Sequence, residues 1–279
     1  MGRVTVFSDL KGLTMRTSSL ALAAAASLAL ALTACSSGDA DTGDGDASSA
    51  AGSSDVALVK DGKLTVCTNV PYEPFQYEVD GKIVGFDISI TQEVADDLGA
   101  ELEVVAIGFD GIQSGAALDA GTCDIVASAI TINEEREKNL DFSDPYFDAD
   151  QAVLVAEDST VADEDDLADI TVGVMQATTG ADWVKGLGIT PTEFEDLGLQ
   201  VVALQNGQID AAVNDIAALG PFTTDGLKVA FTVPTGEQCG FGVKTGNTAL
   251  LEAVNGTLER INTDGTYDEL YTEFIGTQG

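Results

Sequence analysis

The chain has 279 residues, 44% of them hydrophobic, enough apolar material for one large domain or two small ones. Twelve Lys and Arg stand against 47 Asp and Glu, a net charge of -35 that excludes a nucleic-acid partner, whose phosphates need clustered cations. There is no His, so a Ser-His-Asp or Cys-His catalytic machine is excluded and the commonest metal ligand is missing.

Residues 1–35 read as a targeting segment. Arg3, Lys11 and Arg16 supply a basic start, with Met15 as an alternative first residue. Leu20 to Leu32 is an Ala/Leu run broken by one Ser. It is shorter than a bilayer span of about 20 residues and fits the core of a signal peptide. The run ends Leu32-Thr33-Ala34-Cys35, which resembles a bacterial lipobox. A lipid on Cys35 would anchor the protein to a membrane without spanning it. Residues 36–55 are almost entirely Ser, Gly, Ala and Asp and read as a flexible tether.

Lys63 to Thr68 is predicted as a strand. Asn69 to Tyr77 follows as a loop fixed by Pro71 and Pro74 and carrying three aromatics. Tyr72, between the prolines, is the ligand candidate, while Phe75 and Tyr77 are assigned to the core. Asp80-Gly81 marks a hairpin turn. A helix is expected from Gly85 to Leu98, stopped by Gly99, then a strand over Glu101 to Ile107, a helix over Ile112 to Ala120 and a strand over Ile125 to Ala129. Strand-helix alternation predicts an α/β unit with a mainly parallel sheet. Ligands sit beyond the carboxyl ends of such strands, which puts Asn69, Phe109 and Ser128–Thr131 around one crevice.

After Ser128 comes a small-residue run and then Arg136, one of only two arginines beyond the targeting segment. Thr131 and Glu134 have capping-box spacing, so a helix start, its dipole and the guanidinium could converge on one anion. A second α/β unit begins after the acidic Glu157–Asp166 segment. Ile170 to Val174 is a strand and Gln176–Asp182 a turn leading into a helix through Trp183. Gln200 to Ala203 is expected as a strand, then a helix, a strand over Asp210 to Asn214 and another helix. Thr178-Thr179-Gly180 repeats the anion-type arrangement without a cation, and Asp215 could meet an ammonium. Strands are expected at Ala152–Ala156, Leu227–Phe231 and Cys239–Val243. Leu250, Val254, Leu258 and Ile261, then Tyr267, Leu270, Tyr271 and Phe274, recur at helical spacing and read as core. Cys67 and Cys123 lie in or beside strands of one unit and are the expected disulfide pair, leaving Cys239 free. No cofactor or metal is expected: without His or a Cys-x-x-Cys pair a zinc site has no ligands.

Carboxylate-type sites, an ammonium-type site and aromatic walls together make the chemistry of an α-amino acid zwitterion. The chain resembles the solute-binding proteins of polar amino-acid ABC transporters, family 3, from about Asp61 to Gly276. The motifs are Pro-Tyr-Glu-Pro-Phe (71–75), Gly-Phe-Asp-Ile (85–88), Phe-Asp-Gly-Ile (109–112), Ala-Gly-Thr-Cys-Asp-Ile-Val (120–126) and Ile-Thr-Ile-Asn-Glu-Glu-Arg (130–136). Asp-Phe-Ser-Asp-Pro-Tyr (141–146), Val-Gly-Val-Met-Gln-Ala-Thr-Thr (172–179), Gly-Gln-Ile-Asp-Ala-Ala-Val-Asn-Asp (207–215) and Asp-Gly-Thr-Tyr (264–267) complete them. Three positions depart from the family pattern: Ser89 where a second acid is frequent, Ala177 for the usual Gly, and Ala129 for a frequent Ser or Gly.

This resemblance implies a type II periplasmic-binding-protein fold of two α/β lobes joined by two hinge crossovers, near Phe147–Ala152 and Val233–Gln238. Lobe 1 would be 56–149 with 237–279, and lobe 2 150–236. It further implies that Arg136, helped by Thr131 and Thr179, grips the ligand carboxylate, that Asp215 and Ser128 take the ammonium, that Tyr72 and Phe109 sandwich the side chain, and that Asn69 meets its polar end. The expected protein is a monomeric, extracytoplasmic, lipid-anchored receptor that gives a neutral polar or basic amino acid to ABC transporter permease subunits. The competing readings are an enzyme of cyclohexadienyl dehydratase type on the same scaffold, with Glu73 as the spare carboxylate, and a sensor domain.

Overall fold

A computed structural model describes residues 56–224 and 226–276. The proposed targeting segment, its Cys35 and the tether lie outside the described residues.

The first sheet forms from apolar runs as expected. Strand β1 (Lys63–Thr68) is followed by the hairpin β2 (Tyr77–Val79) and β3 (Lys82–Val84). Helix α1 (Phe86–Leu98) carries Phe86, Ile90 and Val94 on one face, all fully buried. Each such side chain contributes roughly 1.5–3 kcal/mol through burial. A Cβ on Gly85, before α1, would lie 2.3 Å from the Phe75 carbonyl oxygen, so only glycine lets the helix begin against the aromatic loop.

Strand β4 (Glu101–Ala106) leads to two short helices, α2 (Phe109–Gln113) and α3 (Ala116–Asp119), where one was expected. The break is Gly115, at φ 73°, where a Cβ would lie 2.7 Å from the Asn139 carbonyl oxygen. Then come β5 (Ile125–Val126), a single 3-10 turn at Arg136–Lys138, and β6 (Leu140–Phe142). Cys67 and Cys123 form a disulfide, Cα to Cα 5.7 Å, tying the end of β1 to the approach to β5. Among the described residues Cys239 is the free cysteine, and it is buried.

Strand β7 (Phe147–Ala156) carries the chain into the second sheet, built from β8 (Val172–Met175), β9 (Thr192–Phe194) and β10 (Ala211–Asp215). Helices α4 (Thr179–Gly186), α5 (Leu197–Gln205) and α6 (Ile216–Leu219) connect them. Gln200–Ala203, expected as a strand, lies inside α5. Its apolar positions Leu197, Val201 and Leu204 have helical spacing, and Asp196 caps it by accepting from the Leu199 N–H at 2.8 Å. Strand β11 (Leu227–Cys239) returns to β12 (Gly242–Lys244), and α7 (Thr248–Asp264) and α8 (Thr266–Phe274) close the fold. Leu250, Val254, Leu258 and Ile261 are buried, and Tyr267, Leu270, Tyr271 and Phe274 pack against the same core. Phe75 is fully buried, but Tyr77 opens the hairpin half-buried and outside the core clusters.

Strand order is β4-β1-β5-β12-β6 in one sheet and β11-β7-β10-β8-β9 in the other. In each, three strands run parallel (β4, β1 and β5; β10, β8 and β9) and two join antiparallel. The sheets are therefore mixed, with parallel cores. Strands β7 and β11 pair antiparallel from Phe147↔Cys239 to Ala156↔Leu227, with register shifts between Val229 and Phe231 and between Val233 and Glu237. The two passages between the sheets are thus one twisted ribbon. Irregular register lets such a ribbon bend. Among the described residues no helix is long and apolar enough to cross a membrane.

Candidate functional site

The loop after β1 is pulled into a tight turn, with the Tyr72 N–H on the Gln76 carbonyl at 2.7 Å and the return bond at 3.0 Å. Phe75 anchors this turn in the core, and Tyr72 projects towards the second sheet. Its hydroxyl stands 2.6 Å from Asn214 Oδ1 and 2.7 Å from Asp215 Oδ2, giving its one proton a choice of two acceptors. Burial, reinforced by the Asp215 charge, pushes the Tyr72 hydroxyl pKa well up, so it remains a donor.

Beyond β5 the chain is held on both sides. The Ala127 N–H bonds the Cys67 carbonyl, the Ile132 N–H bonds the Gln238 carbonyl, and the Gly240 N–H bonds the Ile130 carbonyl. Ala129 sits in the left-handed region at φ 44°, with its N–H on Asp87 Oδ2 at 2.7 Å. Asp87 is fully buried, and its other oxygen accepts from the Tyr146 hydroxyl at 2.6 Å. Burial raises the Asp87 pKa to about 7, against the opposing pull of the two hydrogen bonds. Ser128 Oγ accepts from the Asn69 N–H at 3.2 Å and from Gln76 Nε2 at 3.1 Å. With both lone-pair directions used, this hydroxyl can only donate its proton to a ligand.

Arg136 is 4% exposed. Its Nη1 donates to the Thr131 carbonyl at 2.8 Å, and its Nη2 reaches across to the Ala177 carbonyl at 3.2 Å. The guanidinium carbon lies 5.4 Å from the centre of the Phe109 ring, within cation–π range. Burial lowers its pKa, opposed chiefly by Asp215, and the group stays charged. The expected capping box is absent. Arg136 begins a three-residue 3-10 turn with no side-chain cap, because β6 starts at Leu140 and leaves no room for a helix. Asn133 Oδ1 instead takes the Glu135 and Arg136 N–H groups. The guanidinium is the charged group at this position, without a helix dipole behind it.

On the facing side α4 has Thr178 as its N-cap, accepting from the Ala181 N–H at 3.1 Å. Thr179 Oγ1 donates to Glu237 Oε2 at 3.2 Å. Ala177, before this helix, has φ 62°, a conformation that costs an L-residue about 1–2 kcal/mol and explains why glycine would suit the position. Asp215 is 7% exposed, and its Oδ1 accepts from Gln151 Nε2 at 2.5 Å. Burial raises the Asp215 pKa to about 6, the bonds from Tyr72 and Gln151 and the Arg136 charge pulling the other way. Asn214 is fixed by the fully buried Gln200, whose Oε1 accepts from Asn214 Nδ2 at 2.9 Å while its Nε2 donates to the Gly173 and Val213 carbonyls.

These groups line a small cavity between the two sheets. All eight residues singled out in the sequence line it: Asn69, Tyr72, Phe109, Ser128, Thr131, Arg136, Thr179 and Asp215. Sequence reasoning missed Gln151, Met175 and Asn214 in the lining, and Asp87, Gln76 and Gln200 behind it. Gln151 falls one residue before the expected start of its strand, among polar residues, and the sequence offered no local signal for it. Glu73 is exposed and lies outside this cavity.

A buried cation and a buried carboxylate face the same small space from opposite sheets. A family model described as bacterial extracellular solute-binding proteins, family 3, matches residues 64–277. A probable histidine-binding protein of Neisseria gonorrhoeae is 31% identical over 225 residues, covering 77% of this chain and 83% of that protein. An ABC transporter glutamine-binding protein of Bacillus subtilis is 33% identical over 201 residues, covering 70% and 74%. A mutant of ArgBP from T. maritima superposes with a TM-score of 0.74 at 35% identity, over 77% of this chain and 96% of that one.

Proposed function

This chain belongs to the bacterial extracellular solute-binding proteins, family 3, and from that premise we propose that it binds a free amino acid between its two lobes and delivers it to an ABC importer. The observation that carries the reading is the pairing of Arg136 and Asp215, both buried and both facing one cavity. Arg136 takes the α-carboxylate, with the Thr131 hydroxyl beside it; Ser128, expected at the ammonium end, is placed here instead because its oxygen already accepts two bonds and only its proton is free. Asp215 takes the α-ammonium, and the buried Gln151 Oε1, which has no hydrogen-bond partner, is a second acceptor for it. Tyr72 and Phe109 flank the side chain, and Asn69 meets its far end.

The ligand in this reading is a neutral polar or basic amino acid. Arg136 is the one cationic residue among those lining the cavity and is committed to the carboxylate. Asp215 lines it too, and Glu237 sits just behind, bonded to Gln151 and Thr179. An acidic side chain would be met by these carboxylates without a second cation. The protein works outside the cytoplasm as a monomer, held to the membrane by a lipid on Cys35.

Calorimetric titration of the purified protein with each of the twenty amino acids tests this. Tight glutamate or aspartate binding would overturn the specificity, and no binding by any would overturn the function. Arg136→Ala should weaken binding by at least about 100-fold, since it strips the partner from a buried charge. Its apo melting temperature should stay nearly unchanged. Retained affinity would remove Arg136 from the carboxylate site.

A further inference from the structure

Five buried side-chain polar atoms among the described residues have no hydrogen-bond partner, and three of them are amide oxygens: Asn69 Oδ1, Gln76 Oε1 and Gln151 Oε1. Two of these residues, Asn69 and Gln151, line the cavity. Among the described residues no buried side-chain amide N–H is left over in the same way. An unpaired buried acceptor costs about 1–3 kcal/mol, so the site is built to receive donors.

Gln151 adjoins Asp215 and belongs to the ammonium end. Asn69 marks the other end. Its Nδ2 is held by the Ile107 carbonyl at 3.0 Å, which fixes the orientation of the amide and leaves Oδ1 as the unpaired atom. Asn69 is 7% exposed and borders two spaces at once. On one side is the cavity. On the other is an open cleft lined by Val70, Ile107, Gly108, Gln176, Glu195 and Asp196. This cleft carries two carboxylates and no cation. Asp196 spends one oxygen on the α5 cap, and Glu195 is exposed and makes no hydrogen bond or ion pair with the described residues. A side chain running past Asn69 therefore meets an unpaired carbonyl oxygen and then a negative rim.

Resting on the amino-acid reading above, we infer that the ligand carries a cationic, N–H-rich side chain, a guanidinium or ammonium, which donates to Asn69 Oδ1 and is drawn towards Glu195 and Asp196. Asn69 supplies direction and the two carboxylates supply charge. Glu195 and Asp196 stand on the lobe opposite Asn69, so the rim is complete only when the lobes are together, and a cationic side chain adds to closure.

The test compares L-arginine and L-lysine with citrulline, the neutral analogue of arginine, and with glutamine, by calorimetry at low and at physiological salt. A cationic ligand should bind at least about tenfold tighter than citrulline and glutamine. In a Glu195→Gln/Asp196→Asn double variant the cation-to-neutral ratio should fall about threefold at low salt, as expected for partly screened charges, with citrulline affinity unchanged. Asparagine caps helices as well as aspartate, so the variant keeps α5, and its melting temperature checks this. Equal binding of citrulline and arginine, or a ratio untouched in the double variant, overturns the inference while leaving an amino-acid receptor standing. Failure of all twenty amino acids to bind overturns both.

Discussion

Two buried carboxylates, Asp215 lining the cavity and Asp87 behind it, do different work. Asp215 lines the cavity and, in the role proposed for it, must be ionised to hold an ammonium. With its pKa near 6, it is protonated in the free protein at lower pH. Affinity should be flat above about pH 7 and fall towards tenfold per unit below 6, so that Kd at pH 5 is about tenfold that at pH 7. A Kd constant from pH 5 to 7 would remove Asp215 from the ammonium site. Asp87 touches the loop and not the cavity, so Asp87→Asn should leave that profile in place. Its effect is on stability. The folded-state pKa is raised from 3.8 to about 7, so between those values the native protein holds a proton that the unfolded chain has released. This contribution is fully present below about pH 4 and is lost as pH rises to 7. Asparagine can keep both bonds, its oxygen accepting from Ala129 and its amide donating to Tyr146. Relative to wild type, Asp87→Asn should therefore melt higher at pH 8 than at pH 5. An equal difference at both values sinks the assignment.

The elements show how far the sequence could be read. Alternating apolar runs and Gly stops were sufficient for β1, α1, β4 and β10, whose bounds differ from expectation by a residue or two. Gln200–Ala203 misled because Val201-Val202 looks like strand, while the deciding signal, Asp196 as an N-cap, lay outside the run. The helix expected at Arg136 failed for the opposite reason: the spacing of Thr131 and Glu134 suggested a cap, but no apolar repeat followed to give a helix a buried face. Site residues at strand ends were legible because loop chemistry is local. Gln151, and Asn214 locked by Gln200, were not, since their partners are distant in the chain. The Cys67–Cys123 bridge was legible from strand placement and closes a segment 56 residues apart in sequence. Loop-closure entropy alone makes such a bridge worth about 4 kcal/mol. Cys67→Ser/Cys123→Ser should lower the melting temperature by several degrees, more than Cys239→Ser does at its own buried site. Because Ser128 depends on the end of β1 through Asn69, the double variant should also bind ligand more weakly. A melt unchanged by losing the bridge would show that β1 and β5 need no covalent tie.

At the scale of the molecule, among the described residues the side-chain hydrogen bonds that cross between the two sheets outside the β7–β11 ribbon are those of the site itself. Tyr72 spans from the first sheet to Asn214 and Asp215 on the second, and Arg136 spans to the Ala177 carbonyl. Ligand capture and lobe closure therefore draw on the same side chains. A ligand that bridges Arg136 and Asp215 favours the closed form only by the contacts it makes there and not in the open form. Tyr72→Phe separates the two effects. It keeps the ring proposed to flank the ligand and removes the hydroxyl that bridges the two sheets. The lost bond to a charged acceptor is worth about 1.5–3 kcal/mol, so affinity should fall roughly tenfold or more. The loss should appear as faster dissociation, because the closed state is what retains the ligand. Small-angle scattering should show the ligand-free variant more expanded than ligand-free wild type, and saturating ligand should return both to one radius. If the variant binds as tightly as wild type and scatters alike, Tyr72 is only a wall of the cavity and closure is set by the β7–β11 ribbon alone.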